Sequence, residues 1–121
     1  MMMKFNYYYG TDADKYSFFR IPKYLMIAEE FSSLSIQAKV LYGLLLDRMG
    51  LSKQNQWIDE ENKVFIIYQI SEIQKDMNIS KKQAIEYLKE LENNGLIRKR
   101  SRGNGLPNLL YLKNFMVKQS A

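Results

Sequence analysis

The stretch from Ser71 to Phe115 reads SEIQKDMNISKKQAIEYLKELENNGLIRKRSRGNGLPNLLYLKNF, and its periodicities decide the fold. Ser71 is a good N-cap, with Glu72 in the first turn, where a carboxylate suits the positive end of the helix dipole. Ile70, Ile73 and Met77 recur on one side of the short helix that follows. Asn78-Ile79-Ser80 makes a tight turn. Ser80 caps a second helix, and Gly95 ends it where a left-handed residue is usually needed. Inside that helix Ala84, Tyr87, Leu88 and Leu91 form an apolar stripe. At about 100° per residue, Lys82, Gln83, Glu86 and Lys89 fall on the opposite side, with Ile85 at the boundary.

Two β-prone runs follow, Leu96 to Arg100 and Leu109 to Leu112, joined by a loop from Arg102 to Asn108. Gly103, Asn104 and Gly105 supply the positive φ values of a tight connection, and Pro107 stiffens the return. Helix, turn, helix and basic hairpin in this order predict a winged helix-turn-helix, an α+β fold with a small antiparallel sheet. In that arrangement the second helix enters the major groove and reads bases with its N-terminal half. Ser80, Lys81, Lys82, Gln83, Ile85, Glu86 and Lys89 are therefore the candidate contacts. Lysine suits guanine acceptors, glutamine pairs with adenine, glutamate accepts from a cytosine amine, and isoleucine meets a thymine methyl. Lys99, Arg100, Arg102 and Asn104 are the hairpin's candidates, placed along the backbone or in the minor groove, whose negative potential favours arginine.

The charge distribution supports a polyanionic partner. All 13 acidic residues lie at or before Glu92, whereas Arg98, Lys99, Arg100, Arg102, Lys113 and Lys118 come after it. The net charge of +5 is thus concentrated in the hairpin half of the 121 residues. No long apolar run or basic amphipathic helix points to a membrane. Without Cys or His, disulfides, thiolate chemistry, the usual zinc-ligand sets and Ser-His-Asp triads are excluded. Met1-Met2-Met3-Lys4 lacks the apolar core of a secretory signal. The one Gly-Asn-Gly triplet sits in the hairpin rather than before a helix, so it is no phosphate loop. We expect no enzyme, no cofactor and no metal, and a cytoplasmic location.

The front half carries the scaffold. Tyr16 to Ile21 is β-prone, and Pro22 fits the first turn of a helix running to about Phe31. Ser35 is the expected cap of the longest helix, Ile36 to about Gly50, with Ala38, Leu41, Leu44, Leu45 and Met49 on its apolar side. Trp57 to Asp59 and Lys63 to Tyr68 are two short strands around Glu60-Glu61-Asn62. Those carboxylates solvate a turn rather than bind a metal, because adjacent turn residues point apart. We place an N-terminal arm over residues 1–34 and the winged-helix domain over 35–121. Tyr7, Tyr8, Tyr9, Phe18 and Phe19 are abundant aromatic surface for an arm. They either fold back on the core or pair with a second copy.

FRIPK at 19–23, W-x-D-E at 57–60, KELENNGLI at 89–97 and GLPNLLYLKNF at 105–115 resemble the N-terminal domain family of RepA replication initiators of Gram-positive plasmids. The resemblance covers residues 16 to 115, and the last motif is the most specific. It implies a winged helix that binds repeated origin sites (iterons) as a dimer, within a longer initiator whose C-terminal region meets other replication proteins. Two other functions use a similar fold: a transcription regulator, and a protein-interaction winged helix of a primosome component. The first normally carries a further helix after the wing; the second has no need of the basic run.

Overall fold

The computed structural model describes residues 4–52 and 54–116, and in it the polar and apolar positions of the Ser71–Phe115 stretch sort as their spacing requires. The elements are α1 (Lys23–Ile27), α2 (Ile36–Met49), α3 (Ile70–Met77), α4 (Lys81–Asn93), β1 (Ile97–Arg100) and β2 (Leu109–Leu112). Two 3-10 turns, Asp12–Lys15 and Glu29–Phe31, lie in the first third of the chain. The result is an α+β winged helix-turn-helix: α2, α3 and α4 around one core, followed by an antiparallel hairpin.

The termini of the helices explain the tightness of the turn. Gln69, not Ser71, caps α3: the Gln69 N–H donates to Glu72 Oε2 at 2.8 Å, closing a capping box two residues earlier than the sequence suggests. Ser71 therefore lies inside the helix. The glutamate at N3 selects the cap, and it is Gln69 that stands three residues before Glu72. Asn78 ends α3 in the left-handed region at φ 55°, which asparagine tolerates. Ser80 then caps α4 reciprocally with Gln83, the Gln83 N–H donating to Ser80 Oγ at 3.1 Å and the Ser80 N–H to Gln83 Oε1 at 3.0 Å. At the other end Gly95 takes φ 75°, so that its N–H meets Glu92 O and the Leu96 N–H meets Leu91 O. That is the Schellman arrangement, sealed by the buried pair Leu91 and Leu96.

Leu41, Leu45, Ile66, Ile73, Leu91 and Leu96 are fully buried and come from every part of the helix-turn-helix. Leu25, Phe31 and Leu34 join the same cluster, so the chain from Pro22 onward shares this core. Pro22 caps α1 rather than entering it, and α1 stops after Ile27 because Ala28 turns extended (φ −69°, ψ 134°) before the 3-10 turn delivers Phe31 inward. Around Trp57 the expected strands shrink to two bridges, Ile58 with Val64 and Ile66 with Leu110. The second bridge gives the hairpin its third edge, with both Ile66–Leu110 backbone bonds formed at 2.8 and 3.0 Å.

One polar clamp had no sequence signal. Glu90, on α4, accepts from the N–H and Oγ of Ser35 at 2.8 and 2.7 Å, while Ser35 Oγ accepts from Ala38 N–H. The cap of α2 is thereby fastened to α4.

Candidate nucleic-acid interface

The outward side of α4 is as its spacing predicts. Lys81, Lys82, Gln83, Glu86 and Lys89 are exposed, Ile85 is 44% exposed, and Ala84, Leu88 and Leu91 are buried. Gln83 differs in one respect: its side-chain oxygen is occupied by the Ser80 N–H. That bond ties the Gln83 side chain back to the start of the helix, whereas Lys82, Ile85, Glu86 and Lys89 carry no such tie.

The hairpin divides its basic run between two faces, because successive strand residues point to opposite sides. Register pairs Ile97 with Leu112, Arg98 with Tyr111, Lys99 with Leu110, and Arg100 with Leu109. Lys99 lies on the side of α4, where its Nζ is 3.5 Å from Glu92. Arg98 and Arg100 share the other face with Tyr111, against which Phe65 packs edge-on at 6.2 Å. On that outer face Arg100 Nη1 donates to Glu60 Oε1 at 3.1 Å and to Tyr111 Oη at 3.4 Å, and the Tyr111 hydroxyl donates to Asp59 Oδ2 at 2.8 Å. Arg100 thus does not join Lys99 on the helix-facing side, although the sequence reading grouped them. The alternation that separates them was visible in Ile97-Arg98-Lys99-Arg100; the partner turn at 59–61 was not.

That turn is rigid. Asp59 Oδ1 accepts from the Glu61 and Lys63 N–H groups at 2.9 and 2.8 Å, and Asn62 takes φ 64°. Partial burial pushes the Asp59 carboxyl up, but the Lys63 and Glu61 N–H groups, the Tyr111 hydroxyl and the Lys63 charge together hold it below its ordinary value. The Tyr111 and Glu60 contacts raise the Arg100 guanidinium. Glu60 and Glu61 face Arg100 and Lys63 rather than each other.

At the tip Gly103, Asn104 and Gly105 have φ 71°, 54° and 72°, and the Leu106 N–H closes onto Gly103 O at 3.0 Å. Positive φ at both central residues marks a type I′ turn. Arg102 Nε donates to Pro107 O at 2.8 Å, which fixes this arginine beside the tip. Between tip and helix runs an open groove of about 600 Å³, lined by Ile85 and Leu88 of α4, Lys99, and Gly105 to Asn108. Ile85, at the edge of the exposed side of α4, and the hairpin tip therefore border one concavity, while Lys82, Gln83, Glu86 and Lys89 lie outside its lining.

The arm residues lie elsewhere. Tyr7, Tyr8, Tyr9 and Phe18 are strongly exposed and Phe19 partly so. Tyr16 links Tyr8 and Phe18 edge-to-face at 6.2 and 6.3 Å, so these rings pack on one another on the surface rather than in the core. The segment does touch the core at one place, where Arg20 and Ile21 cross α2 over Gly43.

A family model described as "Replication initiator protein A (RepA) N-terminus" matches residues 17–121. A solved structure described as "Structure of Rep-DNA complex" aligns over 94% of this chain and 88% of its own, with 32% identity and a TM-score of 0.76. Another, "N-Terminal domain of DNA binding protein", aligns over 92% and 85% with 32% identity and a TM-score of 0.74. A third, "Structure of MDR initiator", has 31% identity over 90% and 86%, with a TM-score of 0.72. Among curated proteins, the "41 kDa protein" of Lactobacillus helveticus is 26% identical over 90 residues, 74% of this chain and 26% of that protein. The chain spans about a quarter of the length of that curated relative.

Proposed function

This chain belongs to the family of replication initiator protein A (RepA) N-terminal domains, and on that premise we propose that it is the sequence-specific, double-stranded DNA-binding unit of a plasmid replication initiator. Its targets are repeated sites (iterons) at the plasmid origin. The observation that carries this is the shared groove: Ile85 of α4 and Gly105 to Asn108 of the hairpin border the same concavity, with Lys99 between them. A duplex seated there presents its major groove to Lys82, Ile85, Glu86 and Lys89. The adjoining backbone or minor groove meets Lys99, Arg102 and Asn104. The role is binding, not catalysis, and the site of action is the bacterial cytoplasm, where the origin is. A second copy joins through the aromatic arm, and other replication proteins engage the rest of the initiator.

Two substitutions test the grip. Arg102→Ala weakens binding to every duplex and lowers the salt slope by about one unit, as loss of one phosphate contact does. Lys82→Ala costs about 1–3 kcal/mol on the chosen site and relaxes preference at one base pair. Equal loss on chosen and random DNA for Lys82→Ala, or an unchanged salt slope for Arg102→Ala, contradicts the placement.

A further inference from the structure

The outer face of the hairpin poses a question that the groove does not answer. A winged helix that grips DNA by its inner face and tip gains nothing from arginines on its back, yet Arg98 and Arg100 are there. Left free, they form a second phosphate-binding surface pointing away from α4, and any duplex in any register supplies phosphates. The structure sets acid against one of the two, Arg100. The turn from Asp59 to Glu61 lies against the outer face of the hairpin, with Glu60 on Arg100 at the loop end of β1 and Asp59 on Tyr111.

We propose that Glu60 is a specificity-determining residue, which occupies Arg100 and so denies random DNA a foothold on the outer face of the wing. The proposal rests on the DNA-binding role given above. Its logic is discrimination by repulsion: affinity for the wrong partner is lowered by an unfavourable charge rather than by better contacts to the right one. Three features favour this over a merely structural ion pair. The backbone of the turn is held by its own bonds, so Glu60 is presented beside Arg100 and only the two side chains are ordered when they pair. Glu60 is itself 65% exposed, which leaves its charge free to repel an approaching phosphate. Tyr111 donates to Asp59 while accepting from Arg100, so two carboxylates, not one, oppose a phosphate at this position.

The test uses the full chain with Glu60→Gln, which keeps the shape of an exposed side chain and leaves the Asp59 turn intact. The probes are the duplex that the wild-type chain enriches from a randomised library and a shuffled duplex of equal length. Glu60→Gln binds the shuffled duplex about three- to tenfold more tightly at ~0.1 M salt, with a salt slope steeper by about one unit. Its affinity for the enriched duplex stays within about twofold of wild type, so the preference ratio falls by the remainder. Adding Arg100→Gln to Glu60→Gln restores the wild-type ratio. No change on the shuffled duplex overturns the proposal. Equal tightening on both duplexes also overturns it, since Arg100 would then reach phosphate in the site-specific complex. Failure to enrich any duplex removes the DNA-binding role itself, which is a different result from enrichment with an inert Glu60→Gln.

Discussion

Glu90 is a charged residue on the helix that faces the proposed duplex, yet its carboxylate is spent on the N–H and hydroxyl of Ser35. Hydrogen bonds to a charged group contribute about 1.5–3 kcal/mol, so Glu90→Ala destabilises the fold by about 2 kcal/mol in urea melts. DNA affinity per folded molecule stays unchanged. Tyr42 makes a second long-range tie, its hydroxyl donating to Lys113 O at 2.9 Å, and burial pushes its phenol up to about 12. A group raised on folding stabilises fully below its unfolded value and loses that contribution as pH climbs through the folded one. Stability therefore declines from about pH 10 to about 12, and Tyr42→Phe flattens that decline at a cost of about 1 kcal/mol near neutrality. Denaturation midpoints across this pH window check both. Neither pair was legible in the sequence. A glutamate on an exposed helix face and a tyrosine in an apolar stripe carry no mark of a partner more than 50 positions away.

At the scale of elements the sequence was far more informative, because local signals dominate there. Ser80 supplies a capping oxygen, and Gly95 and the Gly103-Asn104-Gly105 run take positive φ values that few residue types accept; each was found where it was expected. The α3 cap was misplaced because Ser71 is the better capping residue type, while the reciprocal Glu72 selects Gln69. The two strands expected around Trp57 were over-extended because Ile58 and Val64 pair with each other across a tight turn, which leaves room for a single bridge. Only Ile66 reaches the hairpin. Where the arm crosses α2, the approach is close. A Cβ on Gly43 would lie 2.8 Å from Ile21 Cγ1 and 2.9 Å from the Arg20 carbonyl oxygen, which is backbone and yields little. Gly43→Ala accordingly costs about 1–3 kcal/mol and releases residues 18–21, which amide exchange of that segment measures.

For the molecule as a whole, the proposed pairing of two copies turns on the aromatic arm. Phe5, Tyr7, Tyr8, Tyr9, Tyr16 and Phe18 are all more than half exposed, a concentration of aromatic surface that a lone domain rarely carries. Deleting residues 1–15 weakens self-association in sedimentation, leaving the affinity of a single domain for a single half-site intact. A wild-type chain that sediments as a monomer at every concentration, with and without DNA, contradicts the role given to the arm. The overall architecture was readable because charge and periodicity act over the whole chain. The division of labour across the wing was not, since it depends on which side of a strand a distant turn is folded against.

The central claim is that one duplex touches α4 and the wing tip together. Amide chemical shifts recorded while the enriched duplex is titrated into the labelled chain test it most directly. The account predicts perturbations at Ser80 to Lys89 and at Lys99 to Asn108, with little change at Asp59 to Glu61. Shifts that gather on the aromatic arm or on α2, with α4 silent, would contradict it.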